Sequence, residues 1–138
     1  GRRMKKITLD ATIENIEKVT EFVNEQLEGC GCPMKAQMQI DVAIDELFGN
    51  IAHYAYQPKV GAATVQVETE DAPPAVTITF IDSGVPYDPL KKEDPDVTLS
   101  AGERSAGGLG IFLVKKTMDD ILYEYKDGKN ILKIRKIF

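Results

Sequence analysis

The order of elements in the sequence predicts an α+β fold, a two-layer sandwich with helices gathered on one face of a mixed, largely antiparallel sheet. Three observations carry this reading. Two stretches early in the chain, ending near Gly29 and Tyr56, place apolar residues at helical spacing. The segments ATVQVETE and AVTITFI, separated by Ala72-Pro73-Pro74, read as consecutive strands. The chain closes on two more strand-like segments joined by Asp127-Gly128, a two-residue hairpin signal.

Taken in order, Ile7 and Leu9 in KKITLDA alternate with polar neighbours, as in a short strand. Thr12 is placed to cap a helix whose apolar stripe runs Ile13, Ile16, Val19, Val23 and Leu27 and which stops at Gly29. Pro33 suits the first turn of a second helix, from Met34 to Tyr56, which Pro58 and Gly61 end. In the next strand Val65 and Val67 share one face, Gln66 and Glu68 the other. AVTITFI is apolar enough on both faces to be central, and it runs into Asp82-Ser83-Gly84. From Val85 to Ala106 periodicity fades while Pro86, Pro89, Pro95 and Gly102 accumulate; so long a loop in a compact domain usually acts as a lid or binding loop. GGLGIFLVKKTMDDI reads as a glycine-rich turn feeding a helix with Ile111, Val114 and Met118 inward. The last strands span about Ile121–Tyr125 and Asn130–Ile137.

The 138 residues fall within the range of one domain and can bury roughly 70% of the surface their unfolded form exposes. No internal repeat or interdomain linker divides them, so residues 1–138 read as a single domain, with Gly1-Arg2-Arg3 as a cloning remnant ahead of Met4. With 43% hydrophobic and 28% charged residues the composition is that of a globular protein. A net charge of −5 argues against a protein built to coat nucleic acid. No run approaches the roughly 20 apolar residues of a membrane span, and no apolar leader is present, so the expectation is a cytoplasmic protein. Cys30 and Cys32, with one distant histidine, make neither a four-ligand zinc site nor a C-x-x-C redox pair, and read as ordinary thiols at a helix–loop boundary.

Three segments carry polar residues that need explaining. In DELFGNIAHYAY, at about 100° per residue, Glu46, Asn50 and His53 fall within about 60° of one another, beside the apolar stripe of Ile40, Ile44, Leu47 and Ile51. A carboxylate at that border needs a ligand, a metal ion or a structural partner, because burying it alone is costly. In FIDSGVPYDP, a strand ends in Asp-x-Gly, which is either a common turn or a carboxylate poised to accept an amine hydrogen bond. In SAGGLGIFLV, Gly107, Gly108 and Gly110 precede a helix, where free N–H groups favour phosphate unless the glycines are simple hinges. The spacing matches neither the P-loop nor a strand-preceded G-x-G-x-x-G.

A helical Glu-x-x-x-Asn, an Asp-x-Gly after a central strand, a long loop and a Gly-x-Gly helix start, in that order, resemble the GHKL (Bergerat) ATP-binding domain of gyrase, histidine kinases and MutL-type proteins. The resemblance runs from about Asp41 to Ile134. Tyr-Asp-Pro after the Asp-x-Gly, and GGLGIFLVKKTMDDI, look most like the stand-alone anti-sigma-factor serine/threonine protein kinases, which are of this size.

This resemblance implies ATP and Mg²⁺ as cofactors. It assigns Asn50 to the metal and Glu46 as general base toward an incoming hydroxyl. Asp82 would read the adenine amine, Gly84 would leave room for the ring, and Gly107, Gly108 and Gly110 would hold phosphates. Residues 85–106 would form the ATP lid, with Arg104 as the candidate for neutralising the terminal phosphate. The implied activity is transfer to a serine on an antagonist protein while a sigma factor is sequestered in partner exchange; a non-catalytic, nucleotide-dependent binding regulator is the alternative. The implied partners are that antagonist and a sigma factor, with homodimerisation through the first strand and helix, and neither nucleic acid nor membrane. The sequence departs from the pattern in carrying Tyr54 where relatives often have histidine, and in having no threonine in NILKIRK.

Overall fold

The computed structural model describes residues 2–91 and 108–138. Five strands, β1 (Arg2–Asp10), β2 (Ala62–Asp71), β3 (Pro74–Asp82), β4 (Asp120–Lys126) and β5 (Lys129–Ile137), form one sheet in the order β1-β2-β3-β5-β4. Among the described residues, three α-helices, α1 (Ile16–Leu27), α2 (Met34–Asn50) and α3 (Gly108–Thr117), join the sheet in an α+β architecture. The sheet, expected to be largely antiparallel within a mixed arrangement, is antiparallel at every described pairing. Tight turns enforce this for β2–β3 and β4–β5, since a short connection can only reverse the strand direction. Asp127 and Gly128, with φ of 54° and 76°, supply the left-handed pair that the last hairpin requires.

Local structure departs from the sequence expectation at three points. The first strand is longer than Ile7 and Leu9 suggest: Arg2 and Arg3 already pair with Glu70 and Thr69 of β2. Thr12 does not cap a helix. Its backbone is extended, the chain passes through a 3₁₀ turn at Ile13–Asn15, and the Thr12 side chain makes no capping bond. The Asn15 amide instead donates to Asp10 O at 2.8 Å, tying the turn back to the end of β1. The second helix does begin after Pro33, but regular α geometry stops at Asn50, and Ile51–Ala55 form a wider π-helical turn.

The core lies between the two layers. α2 packs against both α1 and α3. Ile40, Ile44, Leu47 and Phe48 of α2 meet Val19 and Val23 of α1, Ile111 and Val114 of α3, and the inward side chains of β2, β3 and β5. Phe48 and Phe80 are among the largest fully buried side chains, each contributing roughly 1.5–3 kcal/mol of burial free energy. The inward phases expected for Val65 and Val67, and for Ile111, Val114 and Met118, are those observed. This packing sets the end of α2 over the end of β3, and there the two predicted polar segments meet.

Candidate functional site

A pocket opens between the C-terminal half of α2, the ends of β3 and β5, and the loop after β3. Leu47, Ile51, Phe80 and Leu132 give it apolar walls, while Asn50, Asp82, Tyr87 and Asn130 supply polar groups.

The hydrogen-bond network at the pocket's inner end begins with Asp82, which is 6% exposed. Its Oδ1 accepts from the Gly84 N–H at 2.9 Å and from Asn130 Nδ2 at 2.9 Å. Asn130 stands directly opposite Asp82 in the β3–β5 register. Its Nδ2 also donates to Val85 O at 2.9 Å, with Gly84 O a further 3.4 Å contact. Its Oδ1 accepts from the Tyr87 N–H at 3.1 Å and from the Tyr123 hydroxyl. Burial, partly offset by a backbone hydrogen bond at Tyr87, holds the Tyr123 phenol above its ordinary pKa, so it remains a donor at neutral pH.

Gly84 matters for a reason visible only in three dimensions. A Cβ there would overlap the carbonyl and Cβ of Ala55, at the end of the π-helical turn. The close approach lets the Val85 N–H donate to Ala55 O at 2.9 Å. Tyr56 fastens the same junction, accepting from the Ser83 N–H at 2.8 Å and donating to Ala62 O at 2.6 Å. The Asp-x-Gly turn is therefore clamped to the end of α2 by one glycine and one phenol.

Outside the pocket lining, Gly110 of α3 lies so close to Glu46 of α2 that a Cβ would overlap the carboxylate. The predicted acid and the predicted glycine-rich helix start thus come together, with a carboxylate near the positive end of the α3 dipole. Asn50, one helical turn beyond Glu46, is half-buried and lines the pocket. His53 does not join them. It is exposed and absent from the pocket lining, since an i→i+5 turn advances less per residue than the α-helix assumed in placing it. Tyr54 stands at the pocket with its ring centroid 6.2 Å from that of Tyr87. Burial first, then neighbouring Tyr54, Glu46 and Asp88, push the Tyr87 phenol above its usual value.

Arg104 and Gly107 lie outside the described residues, as do residues 92–106 of the expected lid. Gly108 opens α3. Among the described residues no group of three or more His, Cys, Asp or Glu side chains could hold a metal alone. An ion at Asn50 would draw most of its ligands from phosphate oxygens and water, the usual arrangement for Mg²⁺ at nucleotide sites. One amide oxygen beside a carboxylate fits that hard-oxygen chemistry. Cys30 and Cys32 are free thiols, and among the described residues no helix is long and apolar enough to cross a membrane.

Asn130, Tyr123 and Tyr56 had no assigned role from sequence. Asn130 carried a readable signal, because it shares the inward phase of β5 with Leu132 and Ile134, and a polar side chain on an apolar face requires partners.

A two-layer α+β domain with a pocket between its long helix and central strands is the architecture of a nucleotide-binding ATPase domain. The chain belongs to the histidine kinase-like ATPase domain family, whose model matches residues 9–136; membership implies ATP binding. It is similar to the serine/threonine-protein kinase BtrW of Bordetella bronchiseptica, at 26% identity over 98 residues, covering 71% of this chain and 68% of that protein. Its fold is similar to the crystal structure of the RsbU and RsbW domains of Rv1364c from Mycobacterium tuberculosis, with a TM-score of 0.69 and 19% identity. That match covers 98% of this chain and 32% of the solved one, so the chain spans about a third of that protein's length.

Proposed function

We propose that this protein is an anti-sigma-factor-type serine kinase that binds Mg-ATP and phosphorylates a serine on an antagonist protein. The observation that carries the reading is that Asn50 and Asp82 line one pocket while Glu46, one helical turn before Asn50, lies against Gly110 at the start of α3. Kinship to a named serine/threonine kinase supports the acceptor class.

In this reading Asp82 accepts a hydrogen bond from the adenine amine, and Gly107, Gly108 and Gly110 with the α3 N-terminus hold phosphates. Asn50 holds Mg²⁺, which supplies charge neutralisation at the phosphate oxygens. Glu46 takes the proton of the serine hydroxyl as its oxygen bonds to the terminal phosphorus and ADP leaves. Arg104 neutralises charge on the transferred group, and residues 85–106 close over it. The protein acts in the cytoplasm as a homodimeric partner of a sigma factor.

The test mixes purified protein, Mg-ATP and candidate antagonist proteins encoded nearby, and measures phosphoserine. Glu46→Gln should abolish transfer while nucleotide affinity stays within a few fold. Unchanged transfer in that variant removes Glu46 as base. Nucleotide binding without any transfer by the wild type would favour a non-catalytic regulator, a reading that Tyr54, 60% exposed where relatives often carry histidine, keeps in view.

A further inference from the structure

We infer that Asn130 is the positioning residue of the purine site: it holds Asp82 as a fixed acceptor and, through the same amide, anchors the loop that follows. The inference rests on the adenine-nucleotide reading above and concerns a residue to which that reading gives no role.

An asparagine amide has two N–H donors and one carbonyl oxygen with two lone pairs. In Asn130 all four are engaged by protein. One N–H serves Asp82 Oδ1 and the other serves Val85 O, while the oxygen takes the Tyr87 N–H and the Tyr123 hydroxyl. The opposite amide orientation would set its carbonyl against the Asp82 carboxylate. Asn130 is 6% exposed and has no capacity left for a ligand. Its effect on a bound base must therefore pass through Asp82.

Both donors to Asp82, the Gly84 N–H and Asn130 Nδ2, fall on the same oxygen. An ionised carboxylate is acceptor-only. With Oδ1 held from two sides, the group cannot turn, and Oδ2 is the oxygen through which it meets a base. A 6-amino purine brings a donor to that oxygen. A 6-oxo purine brings an acceptor, and a carboxylate that cannot rotate away makes the mismatch costly. Because the other N–H holds Val85 O, the same side chain also sets the path of the chain from Gly84 to Tyr87. A threonine hydroxyl has one donor and could serve Asp82 or Val85 O, but not both.

The test measures ADP and GDP binding by calorimetry for the wild type, Asn130→Ala, Asn130→Asp and Asn130→Thr, with folding checked by circular dichroism. Asn130→Asp keeps an acceptor for Tyr87 and Tyr123, removes the two amide donors and sets a second carboxyl beside Asp82, and it serves if the alanine variant does not fold. The wild type should prefer ADP over GDP by at least about 100-fold, and that ratio should fall about tenfold or more in Asn130→Ala and Asn130→Asp. Asn130→Thr should keep most of the ratio while amide exchange at residues 85–88 accelerates. A wild type that takes up neither nucleotide overturns the nucleotide reading itself. A selective wild type whose folded variants keep its ratio overturns only the assignment of Asn130. A merely structural residue would lower the unfolding midpoint and leave the ratio unmoved.

Discussion

The backbone of Gly110, in the first turn of α3, lies directly against the carboxylate of Glu46 on α2. Residues far apart in the chain thus share one contact, and any side chain at position 110 must displace the acid.

Gly110→Ala should separate folding from catalysis. The overlap falls on the far end of a flexible side chain, so Glu46 can swing aside. The new methyl also raises helix propensity by about 0.8–1 kcal/mol. The unfolding free energy should change by less than about 1 kcal/mol, while phosphoryl transfer falls at least about tenfold because the base is misplaced. Transfer at the wild-type rate would show that the contact has no bearing on catalysis.

Gly84→Ala should behave in the opposite way. Its Cβ would meet the Ala55 carbonyl, which cannot move without disturbing the π-helical turn. The expected cost is about 1–3 kcal/mol, with the Val85 N–H bond to Ala55 O weakened as well. Urea denaturation measures the first effect and amide exchange at Val85 the second. A midpoint equal to wild type would contradict the rigidity assigned to this junction.

Tyr56→Phe removes one hydroxyl and two hydrogen bonds, from the Ser83 N–H and to Ala62 O. Stability should drop by about 1–2 kcal/mol. Affinity for adenine nucleotides should fall with it, since Ser83 follows Asp82 directly. Loss of stability with unaltered affinity would detach the clamp from the purine site.

Asp41→Asn should stabilise the protein, and only where Asp41 is charged. Burial pushes this carboxyl above 3.8, and a hydrogen bond from Asn24 draws it partly back. Oδ1 of Asp41 and Oδ1 of Asn24 are both buried acceptors without a partner among the described residues. Because the folded state holds the proton more tightly, the carboxyl's contribution is full below its unfolded pKa and is lost as pH rises through the folded value. Asparagine does not titrate and brings a donor to that pair of oxygens. At pH 7 the gain should be on the order of 0.5–1 kcal/mol, shrinking toward zero near pH 3. Denaturation at both pH values decides it, and an equal gain at each would exclude titration as the cause.

Much of the fold was legible because its signals are local. Val65 and Val67 declare a strand face, Ile111 and Val114 a helix face, and Asp127-Gly128 a hairpin, all within a few consecutive residues. Glu46, Asn50 and Asp82 stood out as candidates for a related reason: each is a polar residue beside an apolar run, and burial makes that combination demand a partner. Thr12 misled because a good capping residue was bypassed by the Asn15 bond to Asp10 O, and His53 because periodicity gives no warning of a π-helical turn.

By itself, the order of residues set most of the helices and strands, the family pattern and the candidate polar groups beside apolar runs, since each depends on spacing along the chain. Only the tertiary structure decided that Asn130 stands opposite Asp82, that Gly110 abuts Glu46 and that Gly84 makes way for Ala55. Those relations arise when strand register and helix packing bring distant segments within hydrogen-bond reach, and close packing leaves each of them one arrangement that fits.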